Sequence, residues 1–115
     1  MIKYNSNIIN GDIDKEINDL VKLILINNSK TDIFILSKDE VNIDNEINIK
    51  SKRDNIDSLI DDIVKSQNKK TLIIKNLFEF IFNKKDQNRI IDLFNLCNIR
   101  QMNIIALNDN KYSCN

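Results

Sequence analysis

The 115-residue sequence has no histidine, no proline, no tryptophan and one glycine, Gly11. Without histidine, neither imidazole acid–base catalysis nor imidazole ligation of a metal is open to the chain. One glycine cannot build a glycine-rich phosphate loop, which needs several positions free of a Cβ so that backbone amides can close around the anion. Two cysteines, Cys97 and Cys114, are too few for a disulfide framework. Excess charge is missing too: 17 basic residues face 17 acidic ones, so the chain lacks the basic field on which nucleic-acid binding draws. The pairs Lys52-Arg53, Lys69-Lys70 and Lys84-Lys85 each have acids close by and read as solvated helix ends. No apolar run approaches the roughly 20 residues of a membrane helix, and no secretory leader is recognisable. The expectation is a cytoplasmic protein that does not span a membrane.

What is present is a regular apolar pattern carried mainly by isoleucine and broken by asparagine. The length suits one domain, expected over residues 1–110, with 111–115 as a disordered tail. The organising stretch is Thr71 to Ile81, whose run Leu72-Ile73-Ile74 ends abruptly at Lys75-Asn76. A short run apolar on both faces reads as a strand in the middle of a parallel sheet.

The remaining elements fall around it. The second half of Met1 to Asn10 reads as a strand, with Gly11-Asp12 as the turn after it and Asp14 as the cap of a helix. Ile17, Leu20, Val21, Ile24 and Leu25 repeat at helical spacing. Ile33 to Leu36 is a second strand, and Ile47 and Ile49 belong to a short extended piece. Asp54 is the expected cap of a second helix with the face Ile56, Leu59, Ile60, Ile63 and Val64. Phe78, Phe80, Ile81 and Phe82 are expected to fold the chain back over the sheet edge. Asp86 is the expected cap of a third helix burying Ile90, Leu93, Phe94 and Cys97, and Met102 to Leu107 is the last strand. Alternating strands and helices predict an α/β fold: three layers, α-β-α, around a four-stranded, mostly parallel sheet with right-handed crossovers.

In such a sheet the strand C-termini converge on one edge, and ligands bind there. That edge collects Asn10, Gly11 and Asp12, then Ser37, Lys38 and Asp39, then Lys75 and Asn76, then Asn108 and Asp109. One reading is a flavodoxin- or receiver-like protein with sheet order 2-1-3-4, in which Asp12, Asp39 and Lys75 surround a magnesium ion or phosphoryl group. Against it, no second acid directly follows Asp12, and Lys75 stands where a phosphate-accepting Asp is expected. Nucleophilic chemistry has no support: Cys97 is mid-helix on the core side, and no His can serve either cysteine as a base.

Four segments, in order, resemble a RecA-type P-loop ATPase, in particular the FtsK/SpoIIIE-like ATPase domains of type VII (ESX/Ess) secretion systems. Asn7-Ile8-Ile9-Asn10-Gly11-Asp12 followed by Asn18 to Leu25 is similar to the first strand, phosphate loop and helix. Phe34 to Asp39 resembles the second strand, Leu72 to Leu77 the magnesium-holding strand, and Asn103 to Asn108 the strand that usually ends Ala-Thr-Gln. The resemblance implies the strand order 1-4-3-2. The phosphate loop should read Gly, four residues, Gly-Lys-Ser/Thr. Gly11 matches its first glycine, but Glu16, Ile17 and Asn18 occupy the last three places. Lys75 stands where the magnesium-holding Asp belongs and Asn76 where a catalytic Glu would be. The resemblance thus implies a degenerate, non-catalytic module with no cofactor and no metal. Its partner is expected to be a protein, such as other ATPase domains of a secretion complex, and not a nucleic acid.

Overall fold

The computed structural model describes residues 12–109 and the backbone of residues 2–8. In chain order these form β1 (Ile2–Ile8), α1 (Ile13–Asn27), β2 (Asp32–Leu36), β3 (Ile49–Arg53), α2 (Ile56–Lys65), β4 (Lys70–Lys75), α3 (Phe78–Ile81), α4 (Lys84–Ile99) and β5 (Asn103–Asp109). The order along the sheet is β1-β5-β4-β2-β3, and every pairing is parallel. Strand β4 is central and buried at all six positions. Its apolar run alternates between two cores. Leu72 and Ile74 join Phe34, Leu36, Ile104 and Ala106 under α2, α3 and α4. Ile73 joins Ile33, Ile35 and Leu107 under α1. Burial on both faces explains why the run is unbroken, and each of these Leu, Ile and Phe side chains contributes about 1.5–3 kcal/mol of transfer free energy.

Several expectations need correction. The sheet has five strands, not four, and is wholly parallel. The piece around Ile47 and Ile49 is a 3-10 turn (Glu46–Asn48) leading into β3, which pairs with β2 and forms one edge. The four expected strands keep the expected order 1-4-3-2, as β1-β5-β4-β2, and β3 is added beyond the Ile33–Leu36 strand, which is thereby interior and not an edge. β1 is the opposite edge, whereas a flavodoxin- or receiver-like order needs the first strand inside.

The helix caps differ from those predicted: Asp12 and Asn83 lie before the expected Asp14 and Asp86, and Asn55 lies one residue after the expected Asp54. A cap needs extended backbone and a side-chain oxygen that reaches an amide two or three residues on. Asp12 Oδ1 accepts from Asp14 N at 2.9 Å, Asn55 Oδ1 from Ser58 N at 3.0 Å, and Asn83 Oδ1 from Lys85 N at 2.9 Å. Asp14 and Asp86 instead stand in first turns, where their charge suits the helix dipole. Val64 is half exposed and Phe82 is 72% exposed, so neither belongs to the core. Of the expected turn Gly11-Asp12, Asp12 is the cap of α1 and Gly11 lies outside the described residues, as does the expected disordered tail 111–115 with Cys114.

Candidate functional site at the carboxyl edge of the sheet

The C-terminal ends of β4 and β5 and the start of α1 meet at one edge, and two side-chain networks fill it. The first is centred on Asp14. Lys75, the last residue of β4, is 7% exposed and donates from Nζ to Asp14 Oδ1 at 2.9 Å. The other carboxylate oxygen of Asp14 accepts the Asn42 amide at 3.2 Å. One turn along α1, Asn18 is also buried. Its Nδ2 donates to Asp14 O at 2.8 Å and to Asn42 O at 2.7 Å, and its Oδ1 accepts from Asp44 N at 2.9 Å. Asp14 and Asn18, four residues apart on one helical face, thus pin the loop after β2 while Asp14 neutralises Lys75.

The second network joins β4 to β5. Asn76 is fully buried and has φ 59°, a left-handed conformation that Asn tolerates better than most residues. Its Oδ1 accepts Asp109 N at 2.8 Å, and its Nδ2 donates to Asp109 Oδ2 at 3.1 Å. Its amide donates to Leu107 O at 2.8 Å, extending the β4–β5 ladder by one residue. Asn108 Oδ1 accepts Leu77 N at 3.1 Å, which starts the chain into α3. Buried amides satisfied in this way hold a sharp strand exit in place.

The positions singled out from the sequence separate accordingly. Lys75 and Asn76 are at the edge, but each is turned into a protein partner. Asn18 is a loop pin, Ile17 is a fully buried core residue, and Glu16 is exposed on α1. Asp12 caps α1, and Asp39 is exposed on the loop after β2, where its carbonyl accepts from Ser37 Oγ at 2.6 Å. Among the described residues no group of three or more His, Cys, Asp and Glu side chains is placed to hold a metal ion. Gly11 lies outside the described residues. Asp14 is the participant that sequence reasoning assigned elsewhere; the available signal was its spacing from Asn18 on the helix that follows the first strand.

Farther along the edge, Lys38 Nζ lies 2.7 Å from Asp86 Oδ2, as a charge contact without hydrogen-bond geometry, and 4.8 Å from the centre of the Phe80 ring. Between the ends of β2 and β3 is a shallow cleft of about 370 Å³ lined by Ser37, Lys38, Asp39, Glu40 and Arg53 among others. Its lining mixes both signs of charge. Arg53 donates from Nε to Asp62 Oδ2 at 2.7 Å, and that bond, helped by Ser51, holds the Asp62 carboxyl below its ordinary value. Cys97 is fully buried, and burial pushes its thiol up to about 11, so it is neutral and unreactive at physiological pH. Searches among protein-family models, curated proteins and solved structures return no significant match to this chain.

Proposed function

We propose that this chain is a non-catalytic, ATPase-like module of the FtsK/SpoIIIE kind, giving packing or docking surface within a type VII secretion or translocation assembly. The observation that supports this reading is the Lys75–Asp14 pair. In a P-loop site, cationic and amide groups at the start of the first helix hold phosphate, while acids at the end of the central strand hold magnesium. Here the signs are reversed: the acid is on the helix and the lysine on the strand. The two charges neutralise each other across the crevice. A triphosphate would meet the carboxylate of Asp14, and a divalent cation would meet the ammonium of Lys75.

Titration with magnesium-ATP, followed by calorimetry and by thermal melting, tests the nucleotide half of the proposal. No heat of binding and no rise in melting temperature are expected up to millimolar ligand; micromolar affinity would overturn it. The docking half is tested by co-sedimentation with separately purified ATPase domains of a type VII secretion system. A stable complex is expected, and independent sedimentation of the two argues against the assignment.

A further inference from the structure

The two edges of the sheet differ in how they are protected. Strand β3 carries Lys50, Lys52 and Arg53 in five residues, and such charge discourages another strand from pairing there. Strand β1 pairs with β5 on one side, and among the described residues no strand lies on its other side. After a slip between Ile2 and Tyr4, β1 runs in continuous register from Tyr4, opposite Ile105, to Ile8, opposite Asp109. Those five residues, Tyr-Asn-Ser-Asn-Ile, contain no charge and no proline. A strand hydrogen-bonded on one side directs the rest of its N–H and C=O groups outward, so this is a regular template that no strand occupies among the described residues.

We propose that β1 pairs antiparallel with β1 of a second copy of this chain, about a two-fold axis through Ser6, joining the two five-stranded sheets edge to edge. The sequence is self-complementary in that register. Tyr4 of one copy falls opposite Ile8 of the other, an aromatic and β-branched combination among the favourable cross-strand pairs. Asn5 falls opposite Asn7, amide against amide, and Ser6 meets Ser6 on the axis. The Lys3 residues of the two copies lie at opposite ends of the paired segment. A two-fold contact needs a patch that complements itself, and Tyr4 to Ile8 meets that condition. The pairing does not depend on the reading of the crevice: ATP binding would leave it untouched, and a monomeric chain would leave the Lys75–Asp14 argument untouched.

Analytical ultracentrifugation of the full chain from micromolar to near-millimolar concentration tests the pairing. The weight-average mass is expected to rise from the 13.5 kDa of one chain toward twice that value. Ser6→Lys places two ammonium groups together on the axis, and Ser6→Glu two carboxylates. Each variant alone is expected to remain monomeric while keeping the wild-type circular dichroism spectrum, and an equimolar mixture is expected to dimerise. A wild-type chain that stays monomeric throughout overturns the proposal. So does a dimer that Ser6→Lys leaves intact, or a mixture of the two folded variants that fails to associate. If the variants do not fold, amide hydrogen exchange on wild-type protein decides. The amides of residues 4–8 should exchange more slowly as concentration rises, and rates independent of concentration refute the pairing.

Discussion

Removing one side of the Lys75–Asp14 pair should cost more than removing the other, and the structure sets the asymmetry. The lysine side chain is 8% exposed and the aspartate side chain 18%. In Asp14→Asn the ammonium of Lys75 loses the one charge partner it has among the described residues while remaining nearly sealed from water. Breaking a fully buried pair from one side costs about 3–5 kcal/mol, and the partial exposure of Asp14 reduces that to about 2–3 kcal/mol here. In Lys75→Met the aliphatic stem is kept and the buried charge is gone. The remaining carboxylate still accepts from Asn42 N at 3.2 Å and sits in the first turn of α1, where negative charge is favoured. That variant should stay within about 1 kcal/mol of wild type, because replacing a buried charge by an apolar group of similar shape is often close to neutral.

The Asp14→Asn/Lys75→Met double variant has no ammonium left to strand, so it should be more stable than Asp14→Asn alone. The resulting coupling is expected at about 1–2 kcal/mol, within the range for residues in direct contact. Urea unfolding followed by far-ultraviolet circular dichroism measures all four proteins. At this chain length each kcal/mol corresponds to roughly 3–5 °C in melting temperature. If Asp14→Asn is no more harmful than Lys75→Met, or if the two effects simply add, the lysine is not held by the aspartate.

Two further perturbations test other parts of the same edge and core. Asn76→Gly keeps the left-handed backbone but loses the paired amide bonds to Asp109, for an expected loss of about 1–2 kcal/mol; Asn76→Ala should lose about 1 kcal/mol more, from the left-handed conformation itself. Thermal melts that rank the alanine variant above the glycine variant refute a backbone role for this position. For Cys97, the folded thiol is raised from 9.0 to about 11, so the unfolded chain releases its proton first as pH rises. The contribution of this thiol to stability is complete below pH 9 and is lost between pH 9 and 11, at about 1.4 kcal/mol per pH unit. Urea midpoints across that window should fall more steeply for wild type than for Cys97→Ala; equal slopes would show that the thiol is not the group responsible.

The interior was legible because burial leaves a periodic trace. Leu72-Ile73-Ile74 could be read as central since a strand covered on both faces has no polar positions, and the faces of α1, α2 and α4 followed from helical spacing. Strand β3 was legible only as a short extended piece at Ile49 and not as a member of the sheet, because an edge strand needs only backbone partners: Ile49 is its sole apolar residue, and the ladder to β2 forms it. The helix starts were misplaced because Asp14, Asp54 and Asp86 each have a neighbour equally able to cap. Side-chain reach to a particular amide decides between them, and composition does not encode it. At the edge of the sheet, the sequence could show that Lys75 and Asn76 stand at the end of β4. It could not show that Lys75 crosses to α1 or that Asn76 turns back to β5, since both partners are distant along the chain.

The same contrast bears on how the edge keeps its shape. An open α/β crevice that binds an anion and a metal carries unpaired charges which the ligand neutralises, so its loops are often ordered only when it is filled. Here the compensation is internal. Lys75 is matched by Asp14, the Asn42 and Asp44 amides by Asp14 and Asn18, and the Asp109 amide by Asn76. Each contact ties two segments that a ligand would otherwise bridge: α1 to the loop after β2, α1 to β4, and β4 to β5. On the proposed reading, such a module offers its partners a surface whose shape does not vary with the nucleotide supply, and Lys75 at the end of β4 serves that constancy by tying the strand to α1 through Asp14.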